Sequence, residues 1–587
     1  MSTHWRELVR DKRERQAQSI PKHWIISPPD NTVLDVTEIP RQCGLLTAKE
    51  LEITETTDVA TLLNQLASGE LSSLEVTTAF CKRAIVAHQV VNCLTEIFVE
   101  RALARAAEVD AYMKSTGKVM GPLHGLPISL KDQFRIKGLE TTMGKRQYAN
   151  NHVRADIDEC TSNSYGAFSH IVVAELEFTH VSTKWAETYN KVYGRTVNPH
   201  NRSLTCGGSS GGEGALIAMK GSVLGVGSDI GGSIRVPSHM NGVYGLRPSY
   251  HRVPYAGAAN SMEGQDSIPS VFGPLSSSIT GIKIFMQAVA SSQPWLRDPL
   301  ARRKKWDEEE YSLAEHGGGK SLCFAIMWHD GVVVPHPPVT RAMEMTKAAL
   351  LAAGHKGEKS TPYTFPFDVG LTETLTVIEW RPIKHRDLAR LVYSVWTAGS
   401  AEDYKVVTSV TGEPVINSMK ITAEEVDLDV NEFLPPGSVS AYQLWQIQKE
   451  KRDLRQEYLE HWNNTVRDTG TGRPVDAIIA PVSPFSAVPH GMNATATYTA
   501  VWNALDYPAC VFPVTRVDPV LDPPRPPHDF IDDRDKENYE YYKPELFVNA
   551  PVGLQLVGRC QEEEAVIAMT EIVDAALKKA KSQLSKL

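Results

Sequence analysis

Apolar residues recur every three or four positions in TAKELEITE, LEVTTAFCKRAIVAHQVVNCL and EIFVERALARAAEVDAYM, all within residues 47–115. That period predicts amphipathic helices. Residues 1–20 are charged throughout and predict an exposed helix that stops at Ile20-Pro21, because proline disfavours helix in the residue before it. From about residue 120 the texture changes to short apolar runs broken by glycine and proline: LHGLPISLKD, SHIVVAELEF, SVLGVGSD, KSLCFAIMW, DAIIAPVSP, PACVFPV and APVGLQLVG. Runs of this length, rich in Val, Ile and Leu, suit buried strands with helices on both faces, and residues 338–356 and 440–466 read as two of those helices. No repeat emerges and no Gly/Ser linker divides the chain. The pattern therefore predicts a single large α/β domain, with residues 1–115 as a helical N-terminal layer packed on a core of residues 116–587. The acidic, proline-rich stretch 517–546 interrupts this pattern and reads as a solvated surface loop.

Composition narrows the partners. Of the 587 residues, 22% are charged and 42% hydrophobic, the balance of a folded globular protein. The net charge of -9, from 61 basic and 70 acidic side chains, argues against a nucleic-acid partner and for a small soluble substrate. Cys43, Cys81, Cys93, Cys160, Cys206, Cys323, Cys510 and Cys560 show no C-x-x-C pair and no metal-ligand spacing with histidine, so they read as reduced thiols of an intracellular protein. The N-terminus lacks the apolar region of a secretory signal, and no apolar run approaches the roughly 18 residues of a membrane span. The last three residues, Ser585-Lys586-Leu587, spell the peroxisomal address S-K-L. A peroxisomal import receptor is the partner this address predicts; without it the cytoplasm is the expected compartment.

Residues 206–235, CGGSSGGEGALIAMKGSVLGVGSDIGGSIR, hold ten glycines and five serines. They lack the G-x-x-x-x-G-K-[ST] of a phosphate loop, and Ile230 stands where a dinucleotide fingerprint needs its third glycine. ALIAMKG and SVLGVG are too apolar for a flexible linker. Glycines among buried apolar residues indicate close backbone approach to another segment or to a ligand. Gly208-Ser209-Ser210-Gly211-Gly212 also satisfies G-x-S-x-G, a nucleophile elbow that would make Ser210 the nucleophile and require a downstream acid and then a histidine. His336, His355, His490 and His528 are the candidates for that histidine.

Taken with LHGLPISLKDQF around Lys131, the segment resembles the amidase signature family of serine hydrolases. The matching residues are GGSSGGEGALIA at 207–218, GVGSDIGGSIRVP at 225–237 and YGLRPS at 244–249. NKVYGRTVNPHNRSLTCGG at 190–208, RVPYAGAANSMEGQDSIPSVFGPLS at 252–276 and the N-terminal RELVRDKRERQAQSIPKHW resemble the fungal acetamidase-like branch. The likeness runs from near the N-terminus to NAPVGLQLVG at 549–558.

The resemblance implies a mixed β-sheet core covered by helices, and an amidase that needs neither metal nor cofactor and converts a carboxylic amide into acid and ammonia or amine. It implies a Ser-Ser-Lys triad: Ser233 as nucleophile, Ser209, 24 positions before it, as the bridging serine, and Lys131 as base. It further implies an oxyanion site from the backbone amides of Ile230, Gly231, Gly232 and Ser233 beside Ser209, with a cis peptide at Ser209. Asp229 and Arg235 flank that loop and read as braces. Lys131 ends an apolar run, and burial is what lowers a lysine pKa towards that of a neutral base.

Residues 144–186 depart from the family, whose members have there a helix and then a strand leading into a Lys-Thr-Asn phrase; here Ser182-Thr183-Lys184 stands near that place. This departure is the support for a catalytically impaired, amidase-like binding protein. The amidase subunit of a glutamine-dependent amidotransferase is a second alternative, against which the long helical N-terminus argues. A homodimer is compatible with the sequence.

Overall fold

Leu224–Asp229 lies at the side of the fold that carries the glycine-serine segment, buried along its whole length and bonded to a strand on each side. The computed structural model describes residues 4–142, 169–170, 186–353, 356–357, 376–409, 439–493 and 495–584. Cys160, His355, Ser585-Lys586-Leu587 and nearly all of the departing segment 144–186 lie outside the described residues.

Among the described residues the central sheet has eleven strands. In chain order they are β1 (Pro127–Leu130), β2 (Ser169–His170), β3 (Leu224–Asp229), β4 (Tyr244–Arg247), β5 (Val271–Ser276), β6 (Cys323–Ile326), β7 (Lys356–Gly357), β8 (Thr376–Glu379), β9 (Ala477–Pro481), β10 (Ala509–Arg516) and β11 (Pro551–Val557). Across the sheet they run β7-β8-β6-β9-β11-β10-β4-β5-β3-β1-β2. β2, β1 and β3 are mutually parallel, as are β7, β8, β6 and β9, while β5, β4, β10 and β11 join the two groups by antiparallel pairs. The sheet is therefore mixed, as expected.

The apolar runs named from the sequence supply β1, β3, β6, β9, β10 and β11, and β2 is the start of SHIVVAELEF, whose residues 171–178 lie outside the described residues. β4, β5, β7 and β8 are additions, and in β4 and β5 Gly245, Gly273 and Pro274 break the apolar pattern as turn residues would. Contact explains two of those residues: a Cβ on Gly245 would stand 2.1 Å from Ser238 Oγ, and one on Gly273 2.2 Å from the Leu246 carbonyl oxygen. Glycine here permits close packing.

The helices of the N-terminal layer are Ala48–Glu55, Val59–Ser68, Ser73–Val91 and Val99–Thr116. Thr47 with Glu50 and Ser72 with Glu75 form capping boxes, Asp58 caps the second helix, and left-handed Gly69 and Gly117 end the second and fourth. Val59, Leu62, Leu66, Val76 and Phe80 belong to the same apolar cluster as Leu224, Phe272 and Ile282, so this layer shares its core with the sheet. Burying each such side chain contributes about 1.5–3 kcal/mol. The helices Pro337–Ala352 and Ala441–Asn464 fall where the periodicity placed them.

Two expectations are corrected. The first helix, His4–Gln18, is not exposed on all sides: Val9 and Lys12 are buried, Lys12 pairs with Glu96 and Glu140, and Arg13 donates to the carbonyls of Lys191 and Val192. Its charges hold it to the body of the protein by partners far along the chain. The stretch 517–546 is not simply a loop, since Asp532 caps a helix over Asp533–Tyr541 in which Asp535 is buried. Among the described residues no helix is long and apolar enough to cross a membrane.

Candidate active site

Lys131 follows directly on β1, and its amide continues the ladder by donating to the Val226 carbonyl at 3.0 Å. That bond holds the residue at the C-terminal end of the strand, where its side chain is 1% exposed. Lys131 Nζ donates to Ser209 Oγ and to Ser228 Oγ, each at 2.7 Å. A lysine in such a place is unlike a surface lysine, whose ammonium stays in water.

Ser209 stands in the turn before the helix Gly211–Ala218, and the Gly208-Ser209 peptide is cis. The turn is pressed against residues 187 and 188. Thr188 Oγ1 donates to the Gly207 carbonyl at 2.7 Å, and a Cβ on Gly208 would lie 2.4 Å from the Glu187 carbonyl oxygen. Only glycine fits there. The next residue ties this turn to the second one, because the Ser210 amide donates to the Ser233 carbonyl at 3.0 Å. Lys131 and Ser209 are buried, whereas Ser233 is half-buried. The structure thus brings the bases of both serine turns together, and of the three side chains Ser233 is the one most open to a substrate.

Asp229, the last residue of β3, braces the second turn. Its carboxylate accepts from the amides of Gly232 (2.8 Å) and Ile234 (3.2 Å), from Asn503 Nδ2 (2.9 Å), and from Arg235 Nε and Nη2 (both 3.0 Å). Burial opposes its charge, yet the bidentate Arg235 guanidinium and the Asn503 amide outweigh that and hold its pKa well below the usual carboxylate range. Thr499 Oγ1 donates to the Gly231 carbonyl at 2.6 Å, and the Trp396 ring covers Gly231 so closely that a Cβ would lie 2.4 Å from it. Of the four amides expected to face an oxyanion, that of Gly232 is taken by Asp229. Among the described residues the amides of Ile230, Gly231 and Ser233 donate no such bond.

A second buried carboxyl, Glu213, stands behind Lys131. Burial pushes its pKa up to about 8, against the opposing effects of the Ser129 hydroxyl, which donates to Oε2 at 2.5 Å, and of the Lys131 charge. At neutral pH its carboxylic acid form therefore predominates.

Ser210, the nucleophile of the elbow alternative, is buried with its hydroxyl spanning the backbone of Ser228, accepting from the amide at 3.2 Å and donating to the carbonyl at 3.3 Å. His336 faces the Asn538 carbonyl, His490 the Arg202 carbonyl and His528 the Asp535 carboxylate. None of these three serves Ser210, so among the described residues no Ser-His-Asp triad forms around it.

Sequence reasoning did not single out Ser228, Gln133, Glu213, Thr499 or Asn503. The first three sit inside the quoted motifs GVGSDIGGS, LKDQF and GGSSGGEG, which was the available signal. Thr499 and Asn503 come from the helix Thr497–Leu505, far along the chain, and nothing local marks them.

The model of the Amidase family matches residues 75–567. The acetamidase of Aspergillus oryzae is 40% identical over 588 residues, covering 98% of this chain and 99% of the relative, and the acetamidase of Emericella nidulans is 39% identical over 585 residues with the same coverage. Among solved structures, fatty acid amide hydrolase superposes with a TM-score of 0.83 at 28% identity over 97% of this chain and 94% of the other. The 6-aminohexanoate cyclic dimer hydrolase gives 0.65 at 18% identity over 89% and 97%, a likeness of fold alone. With the family model spanning most of the chain and near-full-length relatives at about 40% identity, the chain belongs to the Amidase (amidase signature) family and is an amide hydrolase.

Proposed function

We propose that the hydrolysis runs through an acyl-enzyme on Ser233, with Ser209 as the proton bridge and Lys131 as the base. The observation that carries this reading is the 2.7 Å contact of buried Lys131 Nζ with Ser209 Oγ, in a turn bonded to the backbone of Ser233. A serine hydroxyl is a weak nucleophile and needs a base to take its proton. Lys131 in its amine form takes the proton of Ser209, and Ser209 takes that of Ser233 as Ser233 Oγ bonds to the amide carbon. The carbonyl π electrons move to oxygen, and the amides of Ile230, Gly231 and Ser233 face that charge, each such donor contributing roughly 3–4 kcal/mol. The Gly232 amide is held by Asp229 and serves by keeping the loop in shape.

The relay then runs backwards. Lys131 returns its proton through Ser209 to the leaving nitrogen, the C–N bond breaks, and ammonia or an amine departs, leaving an ester on Ser233. Water enters, gives a proton to the same relay and attacks the ester carbon. Collapse of that intermediate releases the carboxylic acid and restores the Ser233 hydroxyl.

Two of the relatives are named acetamidase, so short aliphatic primary amides head the substrate panel. The test is ammonia or amine release from acetamide, longer aliphatic amides and aryl amides by wild type and Ser233→Ala. Equal rates would overturn the reading. Turnover by the purified chain without partner or tRNA distinguishes a free-standing amidase from an amidotransferase subunit.

A further inference from the structure

Lys131 Nζ lies 2.7 Å from two similar hydroxyls, Ser209 and Ser228. A base must aim its lone pair at the hydroxyl it deprotonates, so the site needs a device that tells the two apart. We infer that Gln133 is that device: a positioning residue that sets the direction of the Lys131–Ser228 hydrogen bond and thereby reserves the Lys131 lone pair for Ser209. The inference rests on the reading of Lys131 as base.

The argument starts two bonds away, at Ala259. Its carbonyl oxygen can only accept, and Gln133 Nε2 donates to it at 3.0 Å, with Tyr255 Oη a further 3.4 Å contact of the same nitrogen. This identifies the two ends of the Gln133 amide, since the nitrogen must face Ala259 and Oε1 must face Ser228. The Ala259 amide also donates to the Gln133 carbonyl at 2.9 Å, so side chain and main chain of Gln133 are clamped by one residue.

Gln133 Oε1 is an acceptor only. Ser228 has one hydroxyl proton and donates it to that oxygen at 2.5 Å. Towards Lys131, Ser228 Oγ can then only accept, and the Lys131–Ser228 contact must be N–H to oxygen. A neutral amine has two N–H groups and one lone pair. With an N–H committed to Ser228, that hydroxyl makes no claim on the lone pair, which can take the Ser209 proton. If the Ser228 hydroxyl were free to rotate, it would compete for that lone pair and divert the relay to a serine that leads nowhere. Gln133 is 2% exposed and Ser228 4%, so bulk water does not replace the amide oxygen.

The test uses the purified full chain and acetamide, or the first amide of the panel that wild type turns over. Gln133→Met keeps the length of the side chain but removes the acceptor; it is expected to lower kcat about tenfold or more with KM within about twofold. The loss must run through Ser228: on a Ser228→Ala background, Gln133→Met is expected to cost nothing further. A residue that merely braced the Ala259 loop would cost the same on both backgrounds, and that result, or an unchanged kcat, overturns the inference. Gln133→Glu is the second variant. It keeps an acceptor for Ser228, with its second oxygen protonated against the Ala259 carbonyl, so it is expected to retain kcat within about threefold of wild type. If Gln133→Met fails to fold, a folded Gln133→Glu whose kcat is lowered about tenfold or more overturns the inference instead. Wild type that neither hydrolyses amides nor reacts at Ser233 with a fluorophosphonate would refute the base reading itself, and this inference with it.

Discussion

Lys131 Nζ and Ser209 Oγ are 2.7 Å apart although the residues are separated by 78 positions in the chain. β1 and β3 are parallel neighbours, and the turn at Ser209 is pressed against residues 187 and 188. If the two side chains form one relay, Lys131→Met and Ser209→Ala should each lower kcat by about 10²–10⁴, and the double variant should be little worse than either single one. Steady-state kinetics of the three variants checks this. Multiplicative losses would mean that the residues act separately.

Ser210 provides the opposite expectation. Its hydroxyl serves the backbone of Ser228, so Ser210→Ala should destabilise the protein by about 1–3 kcal/mol through the unsatisfied Ser228 amide. Turnover per folded molecule should stay within about tenfold of wild type. Thermal unfolding together with active-site titration separates the two effects, and abolished turnover in folded protein would restore the elbow reading.

Asp229→Asn should be costly because it leaves the fully buried Arg235 without its counter-charge. Removing one partner of a buried pair costs about 3–5 kcal/mol. The variant also weakens the anchors of the Gly232 and Ile234 amides, so kcat should fall along with the urea midpoint. A stable variant with normal kcat would show that the brace is dispensable.

Gly208→Ala tests the fit of the turn. Its Cβ would meet backbone atoms of Glu187 at 2.4, 2.6 and 2.9 Å, and backbone cannot swing aside as a side-chain tip can. The expected loss is about 3 kcal/mol or more, at the upper end of overpacking effects. A melting temperature within a degree of wild type would refute it.

Glu213 links stability to pH. Its folded pKa, raised to about 8 by burial, exceeds the unfolded value of 4.5, so between these values the folded state holds the extra proton. Stability from this group is therefore full below about 4.5 and declines as pH rises towards 8. Glu213→Gln keeps the neutral shape and removes the titration. The melting temperature of the variant minus that of wild type should climb from pH 5 to pH 8 and level off above, as scanning fluorimetry across that range would show. A flat difference would mean that Glu213 does not carry this proton.

Much of the fold was legible in the sequence where burial and element type coincide. The apolar runs around Ile128, Val226, Phe324, Ile478, Val511 and Leu554 are strands, because residues covered on both faces are apolar without alternation. β4 and β5 were not legible as strands, since Gly245 and Gly273 look like turn residues until Ser238 and the Leu246 carbonyl are seen against them. The buried side of the first helix was hidden for a related reason: Lys12 and Arg13 read as solvent charges, and their partners at Glu96, Glu140, Lys191 and Val192 are far along the chain.

By itself the sequence determined the family and the two serine turns, because glycines and serines in that order are demanded by local backbone shape and local shape is written in neighbouring residues. It also marked Lys131 as a lysine at the end of a strand-like run. Only the tertiary structure decided what surrounds that lysine: Ser209 and Ser228 at equal distance, Gln133 turned by Ala259 to orient one of them, and Asp229 occupying the Gly232 amide. Such relations depend on hydrogen-bond distances between segments brought together by the sheet, and no local pattern encodes a distance of 2.7 Å across 78 residues.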